Sequence, residues 1–145
     1  MNARTAAVIG GGVIVVVGGV LALGPFFSTE TTFELRMQAG ACQPSEPPKI
    51  TAGWRNKVSW TVTNVDCPTQ YVRLQDFQDK NGSAQRVVAP EPVDSNAIAT
   101  GQASTFDATV VKFRLWPKTY KYSIYLKEGT GDFQRRRDPD IDVWP

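Results

Sequence analysis

"TYKYSIYLKEGTGDFQRRRDPDIDVWP", residues Thr119 to Pro145, decides the class of the fold. In its opening run Tyr120, Tyr122, Ile124 and Leu126 fall on one side of an extended chain, and Thr119, Lys121, Ser123 and Lys127 on the other. Side chains of a strand alternate between faces, so a period of two predicts a strand with one face in a core. A loop of about a dozen residues follows, and "DIDVW" then alternates again with Ile141 and Val143 inward. The loop sets Arg135, Arg136 and Arg137 among Asp132, Asp138 and Asp140.

Working outward, the same period recurs. In "TFELRMQ" Phe33, Leu35 and Met37 alternate with Glu34, Arg36 and Gln38, and in "KVSWTVTN" Val58, Trp60 and Val62 alternate with Ser59, Thr61 and Thr63. "QYVRLQDF" carries apolar residues on both faces, "DKNG" supplies a turn, and "AQRVV" returns as a candidate hairpin partner. "APEPVDSNAIATGQAS", Ala89 to Ser104, reads as a long surface loop with room for one helical turn. In "TFDATVVKFRL" Val111, Phe113 and Leu115 share a face. About seven short strands separated by turn signals predict a mainly β fold, a sandwich or barrel of roughly 110 residues.

Ahead of that domain, Ala6 to Phe27, "AAVIGGGVIVVVGGVLALGPFF", is twenty-two residues without a charge. As a helix this length matches a bilayer core of roughly 30 Å, whereas the apolar core of a signal peptide is about 7–15 residues. The expectation is an uncleaved transmembrane helix over 6–27, a short cytoplasmic N-terminus over 1–5, and an exported domain over 28–145. Cleavage after Ala22 or Gly24 is the competing reading, and Pro25 stands against it. Arg4 precedes the span and Glu30 and Glu34 follow it, so the positive-inside rule orients the domain outward from an inner (cytoplasmic) membrane. Within the span Ala6 and Gly10, Ala7 and Gly11, and Gly18 and Ala22 are spaced four apart. Each pair shares a helix face on which another helix can approach closely, a surface a lone anchor in lipid does not need.

After the span fifteen Lys and Arg stand against fourteen Asp and Glu, a balance that argues against a nucleic-acid partner. Cys42 and Cys67, the chain's two cysteines, fit a single disulfide in an exported domain, with two free buried thiols as the alternative. Their spacing excludes a C-x-x-C redox pair.

Two segments together resemble the cupredoxins, the Greek-key sandwiches typified by blue copper proteins. "VSWTVTNVDCPTQYVRL" is similar to the family's strand and Asn-x-Asp turn leading to the strand that opens with the first copper-binding histidine. Tyr120-x-Tyr122, the loop and "DPDIDV" look like the family's closing strand, ligand loop and last strand. The resemblance spans Thr31 to Pro145 and implies a cupredoxin-like sandwich. It stops short of the metal. Blue copper takes a thiolate, two imidazoles and a weak thioether, and the chain contains no histidine. The first ligand position falls near Gln70 or Tyr71, the cysteine position near Ile124, and Pro117-Lys118-Thr119 replaces the glycine before the tyrosine pair. No cofactor is expected. The Asp-rich loop suits calcium in ligand type, but three arginines among its carboxylates oppose a cation.

Without histidine, chemistry has little foothold; Ser123 near Lys121 lies on the outward side of a strand, where such pairs are ordinary surface residues. No enzyme activity is expected. Arg135, Arg136 and Arg137 read first as a charged, solvated loop and second as a contact for a partner or for lipid headgroups. Of the four tryptophans Trp60 fits the core, whereas Trp54, Trp116 and Trp144 adjoin turns or the last strand's end and are candidate partner or lipid contacts.

These readings converge on a non-catalytic single-pass accessory subunit of a bacterial membrane complex. Its Gly/Ala helix would dock against other subunits within the membrane lipid, with a metal-free sandwich on the periplasmic face. By analogy with the fold, the host would be an electron-transfer complex, respiratory or photosynthetic. The rival is a free-standing anchored periplasmic binding module for a small ligand or surface polymer. A metal chaperone using Met37, Cys42 and Cys67 is a third reading, which a disulfide between the cysteines would end.

Overall fold

The computed structural model describes residues 28–145 in full; ahead of them it describes the backbone of three short antiparallel strands, Ala6–Ile9, Gly12–Val17 and Val20–Ala22, which form a sheet of their own. The expected membrane helix over 6–27 falls on this stretch, and its Gly/Ala docking face lies outside the residues whose side chains are described. Among the described residues no helix is long and apolar enough to cross a membrane.

Eleven strands are formed over residues 28–145: β1 (Ser28–Gln38), β2 (Ala41–Pro44), β3 (Ile50–Gly53), β4 (Lys57–Asn64), β5 (Gln70–Gln78), β6 (Val88–Ala89), β7 (Val93–Asp94), β8 (Ala103–Val110), β9 (Lys118–Glu128), β10 (Gln134–Arg137) and β11 (Asp140–Trp144). One sheet has the order β2-β1-β4-β8-β6, with β1 parallel to β4 from Ser28 opposite Lys57. The other runs β7-β5-β9-β11-β3, with β10 paired to the far half of β9 and β11 parallel to β3. The fold is thus mainly β, two sheets face to face.

Alternation decides which side of each strand is inward. Phe33 and Leu35 of β1, Val58, Trp60 and Val62 of β4, and Phe106, Ala108 and Val110 of β8 are buried from one sheet. Val72 and Leu74 of β5, Tyr120, Tyr122, Ile124 and Leu126 of β9, and Ile141 and Val143 of β11 meet them from the other. At the centre Trp60 stacks near Phe106, takes Tyr122 edge-on at 6.1 Å between centroids, and donates its indole N–H to the Tyr122 hydroxyl at 3.3 Å. Such aromatic pairs add about 0.5–1.5 kcal/mol each beyond the area they bury.

Irregularities explain where the sequence pattern blurs. Asp76 sits at φ 60°, and the pairing of β5 with β9 shifts there, so Phe77 joins Val72 and Leu74 in the core despite its opposite parity. Ala39 and Gly40 both have positive φ and close a two-residue hairpin between β1 and β2, the conformation that a tight turn between twisted strands favours. "AQRVV" does not return on β5 as a hairpin. Apart from one bridge between Gln78 and Ala84, it crosses to the other sheet, where Val88 pairs with Val110. The stretch from Ala89 to Ser104 holds no helical turn; β7 crosses it and Val93 and Ile98 are buried.

Candidate functional site

The sandwich has two ends. At one end lie the β1–β2 hairpin, the turn after β4, the start of β5 and the end of β9. There Cys42 of β2 is bonded to Cys67, which lies between β4 and β5, with Cα atoms 5.7 Å apart and both residues buried. The disulfide reading holds, and both thiols are consumed, which removes the chaperone reading.

Beside the disulfide a cleft of about 250 Å³ opens between Gln70, Leu126, Glu128, Asp132 and Arg136. Gln70 stands opposite Glu128 where β5 and β9 pair. Its side chain is buried and Nε2 has no partner among the protein's atoms; the same holds for Nε of Arg136. Two unmatched N–H donors and two carboxylates suit a small polar ligand better than a metal. Among the described residues no three His, Cys, Asp or Glu side chains gather as metal ligands.

The register also separates the two positions at which the resemblance would place copper ligands. Ile124 is opposite Leu74, not Gln70, because β9 runs on to Glu128. Four residues along a strand is roughly 13 Å, and the Ile124 side chain is fully buried.

The arginine loop is only partly a loop. Gln134–Arg137 folds back as β10 on β9. Arg135 donates to Asp138 at 2.8 Å, and that hydrogen bond raises the guanidinium pKa further. Arg136 reaches Gln134 at 2.8 Å, while Arg137 donates to the Pro44 carbonyl at 2.6 Å and to Glu46 at 2.8 Å. Arg137 therefore ties β10 to the segment after β2. Ser123, on the side expected to face solvent, is covered by this return and donates to Asp138 at 2.8 Å.

The three tryptophans lie at the other end. Trp144 is opposite Gly53 in the parallel pair of β11 and β3, Trp54 follows Gly53 directly, and Trp116 precedes the Lys118–Val143 pair that opens β9. The structure thus separates them from the arginines, which sit along the far half of β9, so the two groups do not form one contact surface. Phe113 and Leu115 join the tryptophans. Their alternation with Val111 is real, but β8 ends at Val110 and the three side chains face outward, Leu115 at 70% exposure and Trp116 at 76%. The signal was in the sequence: Phe106, Ala108 and Val110 hold even positions, and the apolar parity flips at Val111.

Compared with known proteins, the sequence matches no family model and no curated protein. Among solved structures it is similar to the McoA multicopper oxidase of the hyperthermophile Aquifex aeolicus, at 8% identity and a TM-score of 0.40. The alignment covers 81% of this chain and 30% of the oxidase.

Proposed function

We propose that this chain is a membrane-anchored, non-catalytic accessory subunit whose cupredoxin-like sandwich is held directly against the outer face of a bacterial membrane complex. The observation that carries the reading is the lack of a linker. Phe27 ends the apolar stretch, and Ser28 is already paired with Lys57 in the first sheet. Thr29 then donates to the Thr51 carbonyl of β3 at 3.1 Å. A module meant to sample ligands at a distance is better served by a flexible tether; a brace needs a short one. The family likeness is supported by the folded forms of the two resembling segments: β4, its Asn64 turn and β5 in one, β9 and β11 as neighbours in the other. An electron-transfer host remains the first candidate by fold analogy alone.

The test is the size and composition of the particle released from native membranes by mild detergent. Co-migration with several subunits is the expected result, weakened by Gly18→Leu and Ala22→Leu in the span; a lone monomer under gentle extraction overturns the reading. The cleft at Gln70 and Arg136 favours the second reading, a binding module for a small polar ligand. A thermal-shift screen of amino acids, sugars and carboxylates checks it, and silence across the screen counts against it.

A further inference from the structure

We propose that the Trp116 end of the sandwich is a bilayer-contact face, seated in the headgroup region of an anionic membrane. The inference rests on the anchored reading above and names what the anchored domain touches. Trp54, Val111, Phe113, Leu115, Trp116 and Trp144 are exposed together at this end; Met37 is the remaining exposed large apolar residue among the described ones. A monomer surface rarely gathers its apolar side chains in this way without an occupant.

Three observations favour lipid over a protein partner. The first is where the chain arrives. Ser28 opposite Lys57 places the start of β1 at this same end, so the chain that follows the twenty-two uncharged residues over 6–27 enters the sandwich at the aromatic end. The second is residue type. Three of the six are tryptophans, whose amphipathic rings settle at the level of lipid headgroups. The third is charge. Arg55 lies over the Trp54 ring at 4.2 Å, and Arg55, Lys112 and Arg114 make no ion pair among the described residues. Cations interleaved with aromatic side chains match phosphate headgroups above acyl chains. Trp54 and Phe113 brace each other edge to face at 5.2 Å, so part of the face is rigid before lipid arrives.

The test uses the full chain in vesicles of phosphatidylcholine and phosphatidylglycerol whose acyl chains carry bromine at a shallow carbon. Trp60, buried in the core, is the internal reference. Tryptophan emission is read in the W54F/W116F/W144F protein, which retains Trp60 alone, and in three proteins retaining Trp60 with one surface tryptophan. Each sample is also washed with alkaline carbonate to score integral insertion. Quenching of Trp116 and Trp144 several-fold above that of Trp60, in a chain that resists carbonate, is expected. Resistance to carbonate with no excess quenching overturns the inference, leaves the anchor standing, and assigns the aromatic end to a protein partner. Excess quenching in a chain that carbonate removes sustains the contact face and overturns the anchor. Loss of both overturns both.

Discussion

Asn64 closes the turn that carries Cys67: its Oδ1 accepts the Cys67 N–H at 2.9 Å, and its Nδ2 donates to the carbonyls of Ile98 at 2.9 Å and Pro68 at 3.1 Å. The side chain is fully buried, and the Cys67 N–H and Pro68 carbonyl depend on it, while the Ile98 carbonyl also accepts the Gln70 N–H at 3.1 Å. Asn64→Ala is expected to cost about 2–4 kcal/mol in urea unfolding, since it strands the Cys67 N–H and the Pro68 carbonyl and removes one of the two donors to Ile98. Asn64→Asp keeps the acceptor but turns a carboxylate toward two carbonyl oxygens, so it should be at least as damaging at neutral pH. A loss below about 0.5 kcal/mol for the alanine variant would show that the turn needs only the disulfide.

The disulfide spans 25 residues of sequence. Restricting a loop of that size in the unfolded chain is worth roughly 3 kcal/mol. Cys42→Ser/Cys67→Ser, or reductant on the native protein, should lower the unfolding midpoint accordingly. An unchanged midpoint after verified reduction would mean that packing alone holds the hairpin against the turn.

Much of the sandwich was legible because burial on one face imposes a period of two. Tyr120, Tyr122, Ile124 and Leu126 face inward, as do Val58, Trp60, Val62, Ile141 and Val143. What escaped reading was longer-ranged. The shift at Asp76 depends on how β5 meets β9, and β10 forms because β9 outlasts Ile124 and offers Tyr125 and Leu126 as partners for Arg135 and Gln134. Residues 111–115 alternate like a strand, yet nothing local reveals that their apolar side faces out. Of the tryptophans in the candidate contact, Trp54 and Trp116 were visible as turn neighbours and Trp144 at the end of the last strand, while Phe113 and Leu115 looked like core. The Gln70 cleft was invisible, since its walls come from β2, β5, β9 and the turn before β10.

The core pair of Trp60 and Tyr122 gives a coupled prediction. Trp60→Phe removes both packing volume and the donor to the tyrosine hydroxyl, for an expected loss of about 2–3 kcal/mol. Tyr122→Phe leaves the indole N–H without its acceptor and should cost about 1–2 kcal/mol. Because one hydrogen bond is lost in either case, the double variant should fall short of the sum by about 0.5 kcal/mol or more. Strict additivity would indicate that the 3.3 Å contact contributes nothing.

Two carboxylates should govern acid stability. The Asp107 pKa is lowered from 3.8, first by the Ser59 hydroxyl at 2.6 Å and then by Lys57 at 3.0 Å. For Asp142 burial acts upward, but Thr119 and Lys49 outweigh it, and the net shift is again downward from 3.8. A depressed folded pKa means that the unfolded chain binds protons first. The stabilisation is complete above the ordinary value and drains away as pH falls through the folded one. Denaturation midpoints followed from about pH 6 to about pH 2 should decline below about pH 4, with a shallower decline in Asp107→Asn and Asp142→Asn. Identical slopes in wild type and both variants would remove these two groups as the cause.

Gln70→Leu separates a structural amide from a binding one. The side chain is 2% exposed and its Nε2 lacks a protein partner, so the folded domain carries an unmatched donor at the cleft wall. Replacing such a group with an apolar one of similar size is neutral or stabilising, and the midpoint should hold within about 0.5 kcal/mol or rise. A loss above about 1 kcal/mol would show that the amide is satisfied after all, by water or by a ligand carried through purification. Equilibrium dialysis against denatured and native protein then decides between those two, because only a carried ligand is released on unfolding. If the midpoint holds and a small polar ligand from the screen stabilises the wild type, the same substitution must abolish that shift. Survival of the shift in the Gln70→Leu protein would place the ligand elsewhere on the sandwich.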